Sequence, residues 1–334
     1  MNLAVRAEAL LARIVLAGLR ALPPEAASDL GGFVARVIGP VLPNSQIADA
    51  NLRVALPDLS AAERRRIVRG VWENLGRTVA EFPHLAALRP DAPKGPGFSV
   101  RNAEVLTRLA ADGGPAILCS AHIGNWEFLP AAAAGLGAAF ASLYRAAANP
   151  HVDAIIRALR VRAIGMDVPM FAKGATGARA AMAHLARGGR LGMLVDQKMN
   201  DGIEARFFGL PAKTASAAAA FAVRYRCPVI CGHVERLAPA RLVLVVEEPL
   251  PLPSTGNRQA DIATLTQQIN DVFETWIRAK PESWLWLHRR WPAEVVPVRP
   301  RKKPRPASGA SHIGMAAKET TSRRADAAQH GKSG

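Results

Sequence analysis

The chain has 334 residues, 49% of them apolar, and a formal net charge of +16 at pH 7. That is enough apolar material for a large core, so a wholly disordered chain is excluded. Three cysteines are too few for a disulfide framework, and the charge directs attention to acidic partners: anionic membrane, acidic protein or lipid, or nucleic acid. From Arg299 onward, nine Lys/Arg face two acidic residues, which leaves a surplus of nine for the rest.

Residues 3–21, LAVRAEALLARIVLAGLRA, predict a helix on which Arg6, Arg13 and Arg20 recur every seven residues. A bilayer span needs ~20 mainly apolar residues, and a central Arg costs ~2.5–3.5 kcal/mol to insert. A helix lying in the membrane surface with its arginines toward head groups is one reading. An amphipathic helix packed on the core is the other. Glu8 and the interrupting arginines count against a cleaved signal peptide. A second apolar helical pattern covers 25–42. Ser60 followed by Glu63 is a capping box that opens a helix to Leu75, and the pattern continues through 76–88. Pro90 to Pro96 reads as a linker.

Strand and helix patterns then alternate. Apolar runs occupy 115–121, 137–144, 191–195, 228–234 and 242–246, with a shorter one at 168–171. Helical patterns occupy 103–112, 125–134, 150–164, 176–187, 214–226 and 261–280. This predicts an α/β fold, a central mixed, largely parallel sheet flanked by helices. Three domains of organisation follow: a membrane-associated helical segment over 1–43, the α/β domain over 44–297, and a disordered basic tail over 298–334. His122, Arg145 and Asp196 each follow an apolar run, and Lys173 follows the short one. If the strands are parallel, these residues gather on the edge where open sheets bind ligands.

The stretch Pro115 to Pro130, PAILCSAHIGNWEFLP, carries the densest chemistry. On one straight helix His122 and Glu127 would lie ~140° apart. They converge only if His122 is on the loop after the strand and Glu127 is in the first turn of the next helix. A carboxylate placed there holds the imidazole in one tautomer and stabilises its protonated form. The bland alternative is an ordinary structural pair beside a turn. Gly124 permits close approach and Trp126 can wall a pocket. No G-x-S-x-G elbow surrounds Ser120, so general-base chemistry of His122 on a substrate hydroxyl is the simpler proposal. Phe207-Phe208 reads either as a wall for an apolar ligand or as core. The segment Trp284 to Trp291 reads either as an interfacial belt or as a closing core cluster. Cys227 and Cys231 read as packing residues. There is no P-loop, dinucleotide fingerprint or metal constellation in the sequence.

The motifs resemble, in order, those of the lipid A biosynthesis acyltransferases, the lauroyl/myristoyl transferases of the glycerolipid-acyltransferase type. Ala121 to Glu127 resembles the H-x4-[DE] motif. Asn51-Leu52 with Pro57, and Asn74-Leu75-Gly76-Arg77 with Glu81, resemble the early elements. Tyr144-Arg145 with Asn149, Gly189 to Gln197, Phe207-Phe208-Gly209 with Pro211 and Thr214, and Pro281 to Trp291 resemble the later ones. The resemblance covers roughly residues 45–291. It implies a glycerolipid-acyltransferase-like fold and a bacterial inner-membrane enzyme facing the cytoplasm. Such an enzyme moves a fatty acyl chain from acyl carrier protein to a hydroxyl of a phosphorylated lipid A precursor, with no cofactor. It carries the catalytic pair onto His122 and Glu127, further polar positions onto Arg145 and Asp196, and an arginine of the following helix onto Arg160 or Arg162. Asn125, Trp126, Lys173, Gln197, Phe207 and Phe208 complete the candidate substrate contacts. The arginines of the first helix depart from the membrane-spanning helix usual in the family. An acceptor that is another glycolipid or an aminolipid, and a non-catalytic basic membrane-binding protein, are the alternatives. A nucleic-acid binder is suggested by charge alone, and the aromatic–basic strip is too short for it.

Overall fold

The computed structural model describes residues 3–92 and 94–296; the tail expected over 298–334 lies outside them. The chain opens with α1 (Leu3–Ala21), α2 (Pro24–Ile38), α3 (Asn44–Ala55) and α4 (Ala61–Glu81), the last running into a 3-10 turn over Phe82–Ala87. α4 begins at the foreseen capping box: Ser60 Oγ accepts from the Glu63 N–H, and the Glu63 carboxylate accepts from the Ser60 N–H.

The alternating part follows: β1 (Arg89–Pro90), β2 (Gly97–Arg101), α5 (Ala103–Asp112), β3 (Ala116–Ser120), a 3-10 turn over Trp126–Phe128, α6 (Leu129–Gly135) and β4 (Ala141–Tyr144). Next come α7 (Pro150–Ile164), β5 (Met170–Ala172), α8 (Ala175–Ala186), β6 (Arg190–Leu194), β7 (Lys198–Phe207) and β8 (Leu210–Thr214). α9 (Ala217–Tyr225), β9 (Val229–Ala238), β10 (Arg241–Val246) and α10 (Arg258–Ala279) complete it. Eight strands form one sheet in the order β1-β2-β10-β9-β3-β6-β4-β5, parallel throughout except for the β9–β10 pair. β7 and β8 form a separate antiparallel hairpin. The fold is thus the mixed, largely parallel sheet flanked by helices that the alternation predicts.

Because side chains alternate along a strand, the two sheet faces bury different cores. Ile117 and Cys119 join one with α3, α4, α8, α9, α10 and the terminal tryptophans. Ala116 and Leu118 join the other with α5 and α6. β3, β6, β4 and β5 are parallel neighbours, so His122, Asp196, Arg145 and Lys173 follow strands that end on the same edge.

One expectation is corrected, and one hairpin is present that no apolar run predicts. The linker over 90–96 is partly sheet, since Arg89 and Pro90 pair with Gly97 and Phe98. The stretch after Asp196, poor in apolar residues, forms the β7–β8 hairpin, held to α10 by Gln267 and Asn270 side chains on the Arg206 backbone. Both pairings depend on a partner strand rather than on a local apolar run.

α1 is tied down by Asn149, whose Nδ2 donates to the Val5 carbonyl and to Glu8, and α2 by Ser28, which donates to Glu81. Among the described residues, twelve of the seventeen exposed large apolar side chains lie within 3–42, including Leu10, Ile14, Phe33, Val37 and Val41. No described helix is long and apolar enough to cross a membrane.

Candidate active site

The loop after β3 is built from several directions. Gly124 sits at φ +57°, and a Cβ there would overlap the Val234 carbonyl oxygen. This is a left-handed position pressed against the β9 backbone, which only glycine satisfies at low cost. The Gly124 carbonyl accepts from Asn74 Nδ2 at 3.1 Å and from Thr78 Oγ1 at 3.0 Å, and its N–H donates to the Ser283 carbonyl at 3.0 Å. The Leu285 N–H donates to the His122 carbonyl at 3.0 Å. Asn51 Nδ2 reaches the carbonyls of Trp286 and His288. The early asparagines therefore hold the Trp-rich end, and that end holds the His122 loop.

His122 Nδ1 lies 2.8 Å from Asp196 Oδ1, while the His122 backbone N–H donates to Asp196 Oδ2 at 3.0 Å. Trp284 Nε1 donates to the same Oδ2 at 2.7 Å. Asp196 is fully buried, so burial opposes its charge. The nearby imidazole and the hydrogen bonds more than offset that, and they hold the carboxyl well below the usual carboxylate range. Burial likewise opposes an imidazolium at His122. The charge and hydrogen bond of Asp196, then Glu127 at longer range, outweigh it and raise the pKa above 6.5. With Nδ1 engaged, Nε2 is the nitrogen available for proton transfer.

The expected contact between His122 and Glu127 is corrected here. Glu127 is in the 3-10 turn just ahead of α6 rather than in the first turn of the helix itself, and its two oxygens accept from Nε and Nη2 of Arg160, both at 2.8 Å. Arg160 in turn lies over the Tyr144 ring, 5.6 Å from its centroid. Asp196 takes the position on the imidazole that the spacing gave to Glu127.

His122 lines a cavity of about 900 Å³. Around it stand Trp126, Glu127, Arg145, Arg160, Lys173, Gln197 and Lys198. Trp126 meets the His122 ring edge-on, with centroids 5.1 Å apart. Farther along the sheet the lining turns apolar, with Leu106, Leu118, Ala133, Phe140, Ile230 and Leu244. An imidazole at the junction of a cationic and an apolar region suits a substrate that is charged at one end and fatty at the other.

Residues 3–293 match the family of bacterial lipid A biosynthesis acyltransferases. The chain belongs to that family. No curated protein matches it. Membership makes the chain an acyltransferase of lipid A biosynthesis.

Several candidate contacts of this acyltransferase lie elsewhere than expected. Asn125 is fully buried behind the loop and donates to Glu81, so its amide is not directed at substrate. Asp196 is behind His122 and does not line the cavity. Arg162 is exposed and does not line it either, which separates it from Arg160. Phe207 and Phe208 are core: Phe207 packs on Trp284 and Trp291, and Phe208 on Trp286. Arg290, fully buried, lies over the Phe207 ring and donates to Thr214 Oγ1 at 2.8 Å. The FFG, Thr214 and HRRW elements thus form one support beneath Trp284. The terminal tryptophans 284, 286 and 291 are buried, which excludes the interfacial belt at those positions. Cys119, Cys227 and Cys231 are buried and free. Sequence reasoning missed Trp284 as a donor to Asp196 and Lys198 at the cavity wall. Lys198 directly follows the DQ pair, which is a usable signal; the Trp284 contact spans 88 residues and leaves none.

Proposed function

We propose that this acyltransferase moves a fatty acyl chain from the thioester of acyl carrier protein to a hydroxyl of a phosphorylated lipid A precursor. His122 Nε2 takes the hydroxyl proton as the oxygen attacks the thioester carbonyl. Asp196 stabilises the imidazolium that forms. The tetrahedral oxyanion develops near the Arg160 guanidinium, where positive charge lowers its energy. Collapse breaks the C–S bond, and the imidazolium returns its proton to the departing thiolate. Glu127 acts by fixing Arg160 and by adding negative charge near the imidazolium. Arg145, Lys173 and Lys198 suit the acceptor's phosphates.

The observation that carries this reading is the His122–Asp196 pair at the junction of the cationic and apolar parts of one cavity. His122→Ala should abolish transfer from acyl carrier protein donors to a lipid A precursor while the circular dichroism spectrum is unchanged. Wild-type-like transfer by that variant would sink the mechanism. A panel of acceptors tests the acceptor: activity only on another glycolipid or an aminolipid would move the assignment and keep the chemistry.

The proposed place of work is the cytoplasmic face of the bacterial inner membrane. The exposed apolar side chains of α1 and α2, beside Arg6, Arg13 and Arg20, support helices that lie in an anionic surface.

A further inference from the structure

The floor of the cavity is a row that crosses four strands. Ser142 pairs with Gly192, Gly192 with Leu118, and Leu118 with Ile230. All four line the cavity. Cross-strand partners share a face, so the row is one surface under α5 and α6. At its centre Gly192 contributes no side chain. The Phe140 ring occupies that place instead: a Cβ at 192 would overlap Cδ2 and Cε2 of Phe140. Phe140 is itself buried and lines the cavity.

The direction of the strands then orders the cavity. His122 follows the C-terminal end of β3, whereas Phe140 immediately precedes the N-terminal end of the parallel strand β4. Leu118 lies four residues before His122, ~13 Å along an extended chain. An acyl chain with its carbonyl at His122 would reach this row after that distance, where the Phe140 ring stands over Gly192 beside Leu118.

We propose that Phe140, seated over Gly192, sets the longest acyl chain that the site accepts. This rests on the acyl-transfer reading above. Up to the ring, each added methylene gains apolar contact, worth about fourfold in affinity. Beyond it, a further methylene must displace a packed aromatic side chain.

The test uses S-alkyl pantetheine thioethers of graded chain length, which bind without reacting, measured by calorimetry on the full chain. In the wild type, affinity should climb by about fourfold per methylene and then fall. Phe140→Ala should move that limit to longer chains, and Phe140→Leu should move it by a smaller step. Leu118→Phe, which adds a second ring to the same row, should move it to shorter ones. The kcat/KM order over acyl carrier protein donors should shift in the same sense. A folded Phe140→Ala variant with the wild-type limit overturns the proposal. If that variant does not fold, an unmoved limit in Phe140→Leu overturns it equally. Failure of every thioether to bind the wild type would remove the acyl-site reading as well, whereas transfer with unmoved limits removes the role of Phe140 alone.

Discussion

Asp196 Oδ1 lies 2.8 Å from His122 Nδ1 although 74 residues separate them in the chain. Adjacent parallel strands make this possible: β3 and β6 pair in register up to Ser120 and Leu194, and each residue lies two positions beyond. The carboxylate therefore determines which imidazole nitrogen carries the proton.

Asp196→Asn should lower kcat by roughly 10³-fold or more with little change in KM, since the tautomer and the stabilised imidazolium are both lost. Steady-state kinetics check this. An unchanged kcat would mean that the pair is only structural.

The same pair predicts the pH profile. His122 must be neutral to act as base, and its pKa is raised by Asp196 and Glu127 against the effect of burial. Activity should therefore rise with pH through a midpoint above 6.5, and Asp196→Asn should move that limb to lower pH. Stability runs the other way for His122: its contribution is full below pH 6.5 and is lost as pH rises through the folded value. Asp196, with its pKa depressed, contributes fully above pH 3.8 and loses this as pH falls through its folded value. Urea midpoints across pH, wild type against His122→Ala, measure both.

Arg160→Lys should not restore wild-type activity. Arginine bridges both Glu127 oxygens, and one ammonium cannot reproduce that fork. Arg160→Met should in addition lower stability by ~2 kcal/mol, because a largely buried carboxylate loses its partner. Thermal denaturation and kinetics on both variants separate the two effects.

Gly124→Ala should destabilise the chain by at least ~2 kcal/mol and impair activity, because the backbone is left-handed and the Val234 carbonyl occupies the space. A wild-type melting temperature would show that the loop moves freely.

Phe207→Ala separates core from wall. A core role predicts a loss of ~3–5 kcal/mol in stability. A substrate-wall role predicts a raised KM with unchanged stability, and that result would contradict the packing on Trp284 and Trp291.

Phe33→Asp combined with Val37→Asp should weaken sedimentation with vesicles of phosphatidylethanolamine and phosphatidylglycerol by at least about tenfold, since each variant removes exposed apolar area and adds like charge to an anionic surface. The melting temperature should hold, because both side chains are exposed. Undiminished sedimentation would remove this face from the membrane reading.

Much of the site could be read from order alone. Strand–helix alternation predicts the sheet, and the apolar runs before His122, Arg145 and Asp196 mark the ends of β3, β4 and β6. What could not be read is which polar groups meet. Glu127 is the nearest carboxylate to His122 in that motif, yet the turn over Trp126–Phe128 directs it to Arg160 on α7. Asn125 adjoins the motif and still points away, to Glu81 on α4. The Phe207-Phe208 pair gave no sign of choosing core over cavity, because burial depends on Trp284 and Trp291 arriving from the far end of the chain.

The sequence by itself determined the fold class and the family, since periodicity and ordered motifs are local properties. Only the tertiary structure decided that Asp196 orients His122, that Arg160 rather than Arg162 holds Glu127, and that Phe140 covers Gly192. The reason is physical: hydrogen bonds and van der Waals contacts act over a few ångströms, and strand register brings distant residues within that range.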